Sequence, residues 1–256
     1  MITTELIKQL RDETGVSVMQ CKKALEEAGG DIEKARIILK KKSGAAAEKK
    51  ADRELGAGFI TSASDENKTV LISLFCETDF VAKNEEFVNA AKKVADMALK
   101  SGESAKEESS DMINELIQKM GENIKVGEIK VVSGNTGSYV HNGNIGAVVV
   151  LKEKNDDLAR DIAMHITAMR PVFTNESDIS EADKNNAKEI FQKEVDEQAA
   201  GKPEDMKAKI LEGKINSYFK DQVLMKQSFI KDPSKTIEQL VKESNNELVS
   251  FALEQI

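Results

Sequence analysis

Glu77 and Asp79 stand two residues apart in the stretch ETDFVAKNEEF (77–87), directly after the apolar run TVLISLFC (69–76). A pair of carboxyls could act as general acid and general base if their surroundings separated their proton affinities. The spacing supplies no second shell, and an i, i+2 pair leaving a strand is ordinarily solvated, so a hydrolase using Glu77 and Asp79 is a weak reading. Phe80 opens two others. With Val81 it either folds back beneath the following helix as core, or it projects as an aromatic anchor for another protein, with Asp79 adding orientation.

The remaining candidates for chemistry are sparse. His141 and His165 are the only imidazoles, and neither has neighbours at metal-ligand spacing. His165, beside an apolar helix face, reads as structural. Cys21 and Cys76 lie far apart with no CxxC, which indicates neither a zinc site nor a disulfide and fits a reducing, cytoplasmic location. GxxxxGK[ST], GxGxxG after a strand, HExxH and GxSxG are all missing. The expectation is therefore a chain without bond-making chemistry, cofactor or metal.

Composition narrows the class further. A net charge of −8 gives no general attraction to nucleic acid. The basic runs at 40–42 and 49–50, flanking AAAE, read as a solvated linker. The first residues carry acids and no signal-peptide core, and no window approaches 18 apolar residues, so a soluble, unprocessed chain without a membrane partner is expected. Charged residues make up 32% and aromatics only 4%, which favours helices and small apolar clusters over a large β-sandwich.

The elements that must hold these residues follow from periodicity. Residues 1–43 contain three short helical patterns separated by TGVS and GGD. Their apolar stripes are Leu6, Ile7 and Leu10; Val18, Cys21, Ala24, Leu25 and Ala28; and Ile32, Ala35, Ile38 and Leu39. Ser17 with Gln20 predicts a capping box, and Asp31 a cap. Residues 44–54 read as a linker. Two β-like runs over 58–77, a helix from about 85 to 100 capped by Asn84, a polar loop at 101–111, a helix near 111–121 and a strand at 124–134 make a first αβ subdomain, 55–139.

The plan then repeats. NIGAVVVLKEKNDDLARDIAMHITAM again gives an apolar strand, a polar exit, an Asn cap and a helix, here with Leu158, Ile162, Ile166 and Met169 facing inward until Pro171 stops it. Residues 140–180 with 221–256 form this second αβ subdomain. The inserted segment 181–220 reads as an antiparallel helical hairpin with a coiled-coil seam, Ala187, Phe191 and Val195 opposite Met206, Ile210 and Phe219. The fold class is α+β. Only the first strand exit carries TDFVAK; the second has LKEK, without an aromatic.

With these elements in place, LRDETGVSVMQCKKAL (10–25) and CETDFVAK (76–83) resemble the two signatures of the elongation factor Ts family, and MGENIKV, GSYVHNGNIGAVVVL, IAMHITAMRPVF and PSKTIEQLVKE follow in order. The sequence departs from the common family pattern at Gln20, Ser73 and Phe75. The resemblance implies a guanine-nucleotide exchange factor that binds elongation factor Tu, GDP-bound and nucleotide-free. It implies that Thr78, Asp79, Phe80 and Val81 form the loop that disturbs the partner's magnesium site. It also implies a ubiquitin-associated-like (UBA-like) N-terminal bundle with Arg11, Val18, Met19 and Lys22 as contacts, and a separate contact at His141, Gly143 and Asn144. The helical hairpin suggests a homodimer or a second contact. A protein-binding adaptor that leaves nucleotide affinity unchanged is the alternative.

Overall fold

The computed structural model describes residues 2–256. Its chain begins with three capped helices. Thr3 accepts the Leu6 N–H at 3.3 Å to open α1 (Thr4–Thr14), and Gly15, at φ 68°, closes it. Ser17 opens α2 (Val18–Glu27), and Asp31 opens α3 (Ile32–Glu48) by accepting the Lys34 N–H at 3.1 Å. Gln20 does not reach back to the backbone as the expected capping box requires; its side chain accepts from the Ser17 hydroxyl at 2.9 Å. Leu10, Val16, Cys21, Ala24, Leu25, Ala35 and Leu39 fill the core between these helices. Val18, expected on the inner stripe, is exposed.

The linker expected from residue 44 begins inside α3, which runs on to Glu48. Ser43 is buried with its hydroxyl donating to the Lys40 carbonyl at 2.7 Å, and Ala47 packs against the neighbouring core. That burial, with the helix-forming run AAAE, outweighs the cost of Gly44. Lys40 reaches Asp111 and Glu115 at 3.5 and 3.7 Å.

Strands β1 (Ala57–Ser64) and β2 (Lys68–Cys76) pair antiparallel, from Ala57 opposite Cys76 to Ser64 opposite Thr69. After β2 come the single turn α4 (Asp79–Ala82) and α5 (Glu85–Ser101), which buries Phe87, Ala90, Ala91, Val94, Ala95 and Ala98. Residues 101–111, expected as an unpacked loop, instead hold the short α6 (Ala105–Glu108), with Ala105 and Ser109 buried. Small side chains let this polar stretch pack closely, a feature that its average polarity hides. Helix α7 (Ser110–Met120) ends at Gly121, φ 80°, and β3 (Ile124–Ser133) completes the sheet in the order β1-β2-β3. The middle strand is buried along almost its whole length, as two-sided burial dictates.

A second sheet has the order β4 (Asn135–His141), β5 (Ile145–Leu151), β8 (Leu248–Gln255). Helix α8 (Asp156–Met169), capped by Asn155, buries Leu158, Ile162 and Ile166 beside Val149 and Leu151; Met169 is exposed, contrary to expectation. Helices α9 (Glu181–Gln198) and α10 (Glu204–Gln222) meet through Ala187, Phe191, Val195, Leu211, Ile215 and Phe219. Met206, expected in that seam, lies largely exposed. The remaining elements are β6 (Ser228–Phe229), β7 (Asp232–Thr236) and α11 (Ile237–Glu243), opened by a capping box between Thr236 and Gln239.

The chain divides into two units, 2–132 with 140–146 and 254–256, and 133–139 with 147–253. The boundary expected between 139 and 140 therefore does not hold: the turn after β4 and the last residues belong with the first unit. No helix among the described residues is long and apolar enough to cross a membrane.

Candidate functional site

Where β2 ends, the chain is gripped rather than released. The Glu122 carboxylate, one residue beyond the Gly121 cap, accepts the backbone N–H of Glu77 at 3.1 Å and of Thr78 at 3.0 Å through one oxygen. Its other oxygen accepts the Thr78 hydroxyl at 2.6 Å. In return Glu77 Oε1 accepts the Asn123 N–H at 2.6 Å and Arg53 Nη1 at 3.2 Å. Asn123, buried, donates its side-chain amide to the carbonyls of Ala51 and Arg53 at 3.3 and 2.9 Å. The result is a reciprocal clasp of charge-assisted bonds between residues 77–78 and 122–123.

From this clasp the turn α4 is set. The Thr78 oxygen accepts the Val81 N–H at 3.4 Å, Ala82 is buried and Val81 packs against the first unit's core. Asn84 then starts α5 by accepting the Glu86 N–H at 2.9 Å. A turn tied at both ends, with its third and fourth residues inward, must present its first two outward. Phe80 is 83% exposed, the most exposed of the large apolar side chains described. The alternative in which the ring folds back as core is not what the structure has. Asp79 also points out, 2.8 Å from Lys83 one helical turn on.

The electrostatics argue against proton transfer. Hydrogen bonding from the Asn123 N–H, followed by Arg53, holds the Glu77 carboxyl below the usual range, and the Lys83 ammonium does the same for Asp79. Both are carboxylates with committed partners, so neither is poised as an acid. Glu77 is moreover not the solvated group expected from spacing. Below the turn, Cys76 donates to the Thr78 carbonyl at 3.2 Å, and burial, followed by the Glu122 charge, pushes its thiol up to about 11. Among the described residues no cluster of His, Cys, Asp and Glu could hold a metal, and Cys21 and Cys76 are free and buried.

The other residues singled out fall into two places. His141 and Asn144 flank the turn between β4 and β5, and both are exposed. Asn142 and Gly143 adopt φ 51° and 71°, the left-handed pair that a two-residue hairpin loop needs. Gly143 is buried: its carbonyl accepts the Ile60 N–H at 2.6 Å, and a Cβ there would overlap the Phe59 ring. Asn144 and Asp79 line one groove of about 560 Å³, with Phe59, Lys83 and Asn142. Arg11, Val18, Met19 and Lys22 lie apart from that groove, exposed on α1 and α2. His165, wholly buried, bonds Gln227 Oε1 at 2.9 Å through Nε2 and accepts the Ile230 N–H at 3.3 Å through Nδ1.

Sequence reasoning missed Glu122, Asn123 and Arg53. Gly121 after a helical pattern does mark a helix end there, but nothing in local spacing tells which strand, 45 residues upstream, the next two residues grip.

This geometry is that of an outward-facing aromatic corner on a turn tied at both ends. Comparison with known proteins gives the corner its setting. A family model described as Elongation factor TS matches residues 77–256. The elongation factor Ts of Hydrogenobaculum sp. (strain Y04AAS1) is 38% identical over 98% of this chain and 97% of its own length. That of Legionella pneumophila (strain Lens) is 38% identical over 98% and 90%, and that of Arthrospira platensis 41% identical over 90% and 99%. The chain belongs to the elongation factor Ts family, whose role is in translation elongation.

Proposed function

We propose that this chain is a guanine-nucleotide exchange factor for elongation factor Tu, acting in the cytoplasm without making or breaking a bond. Thr78 to Val81 form the working corner: Phe80 inserts into the partner's nucleotide-binding domain near its magnesium site, and Asp79 adjusts the local charge. Magnesium neutralises phosphate, so loosening its coordination weakens GDP binding without contact to the base. The coupling is reciprocal: nucleotide lowers this chain's affinity for the partner by the same factor, so GTP loading releases it.

The observation that carries this reading is the 83% exposure of Phe80 on a turn fixed at both ends, since a preorganised anchor loses little binding energy to ordering. Further support comes from Val18 and Met19, 51% and 64% exposed on α2, which with Arg11 and Lys22 would let the N-terminal, UBA-like bundle touch the same partner. His141, Gly143 and Asn144 would meet a different domain of it. Helices α9 and α10, residues 181–220 in the expected division, would serve a homodimer or a second contact; for a homodimer, sedimentation over a concentration range should show twice the chain mass for the full chain and a single chain's mass once 181–219 are deleted.

The deciding experiment is release of fluorescent GDP from purified elongation factor Tu. Wild type accelerates release, and Phe80→Ala, folded as judged by circular dichroism, returns it to near baseline. Equal rates for the two proteins would reject the wedge and leave a binding adaptor.

A further inference from the structure

We infer that Glu122 is a positioning residue for exchange: it never meets the partner's nucleotide, but its carboxylate fixes the direction in which Phe80 projects. The inference rests on the exchange reading above and adds a residue that acts through the wedge.

The argument runs through the Thr78 hydroxyl. That hydroxyl has one proton, and Glu122 Oε1 takes it at 2.6 Å. Its lone pairs are then left to accept the Val81 N–H and cap α4, so the cap depends on where Glu122 sends the proton. The other Glu122 oxygen takes the N–H groups of Glu77 and Thr78, the two peptides immediately before Asp79 and Phe80. The carboxylate thus holds three consecutive donors at the root of the turn. Glu122 is itself held from behind: α7 is pinned through Ile113, Leu116 and Ile117, and Asn123 is tied to Ala51, Arg53 and Glu77. A four-residue helical turn cannot hold its own shape in water. Without the clasp Phe80 would sample several directions, and the affinity for the partner would fall by the fraction of time spent in the competent one.

The test is a double-mutant cycle on Kd for nucleotide-free elongation factor Tu, with Phe80→Ala and Glu122→Ala. Glu122→Ala alone weakens binding roughly 10-fold, by the population argument. It raises the concentration giving half-maximal GDP release by a similar factor, while the maximal rate at saturation changes less than about 2-fold, because the ring that does the work is intact. In the Phe80→Ala background the same substitution has no further effect. Glu122→Gln, which keeps the length but turns an NH2 donor toward donors that a carboxylate oxygen accepts, loses binding as well; if Glu122→Ala fails to fold, the cycle is run with Glu122→Gln. Full additivity of the two losses, or wild-type binding by the Glu122 variants, overturns the inference. Should Phe80→Ala itself exchange GDP as wild type does, the exchange reading fails instead, so the two failures are distinct.

Discussion

Strand β2 reaches its helix through residues 77–83, whereas β5 reaches its own through 152–154 alone. Both exits end at an Asn cap and both feed an amphipathic helix, so the extra length of the first is not needed to join strand to helix. The shorter exit is also gripped: Asn246 accepts the Glu153 N–H at 3.1 Å and donates to its carbonyl at 2.9 Å, and Lys152 pairs with Glu247 at 2.9 Å. Its anchors close the connection and leave only charged side chains outside. The anchors of the longer exit brace a turn that carries a ring into solvent. Fixing a backbone is common to both; holding a large apolar side chain in water is peculiar to one.

That contrast can be broken most sharply at the ring itself. Phe80→Ala should lower the rate of GDP release from elongation factor Tu roughly 100-fold, the scale of truncating a central aromatic anchor. Glu153→Ala at the other exit should change it less than about 2-fold, in the same fluorescence assay. The reverse asymmetry is expected in stability. Asn246→Ala removes both bonds to Glu153 and should lower the unfolding free energy by about 1 kcal/mol in urea titrations, with GDP release unchanged.

Acid should separate the two regions as well. Burial lowers the pKa of His165 from its ordinary 6.5, which Gln227 only partly offsets. The folded value lies below the unfolded one, so below pH 6.5 the unfolded chain takes up a proton that the folded chain refuses. This contribution to stability is complete above that pH and is lost as pH falls toward the lowered folded value. Below pH 6.5 the urea midpoint should therefore fall with pH, a fall that His165→Gln no longer shows. Within the longer exit itself, a much smaller effect than that of the ring belongs to Asp79. Lys83 holds its pKa below the ordinary 3.8, so it stays ionised from pH 5.5 to 8 and adds no slope to release there. Asp79→Asn should slow release only about 2- to 3-fold, as an exposed pair would, and less in high salt.

Much of this contrast was legible in the sequence, because caps and turns are local. Asn84, Asn155 and Asp31 open helices where their types predict, and the apolar run of β2 is buried along almost its whole length. The direction of Phe80 was not legible: an aromatic next to a valine has the same spacing whether it faces in or out, and what sets it is the packing of Val81 and Ala82 against the core together with the hold of Glu122 on Thr78. Val18, Met169 and Met206 were misplaced for a related reason. Each sits at the border of an apolar stripe, where periodicity defines a face but not its edge. The run of α3 past Ser43 and the packing of Ala105 depend on neighbours distant in sequence, to which composition is blind.

The thiol of Cys76 lies directly beneath the turn, shielded and bonded to the Thr78 carbonyl. Burial pushes its pKa up to about 11, so little of the reactive thiolate forms at neutral pH while the turn stays shut. Alkylation at this cysteine, followed by peptide mapping to separate it from Cys21, therefore clocks how often the roof above it lifts. The protein carries a built-in gauge of its own loosening, readable by mass spectrometry without any added label.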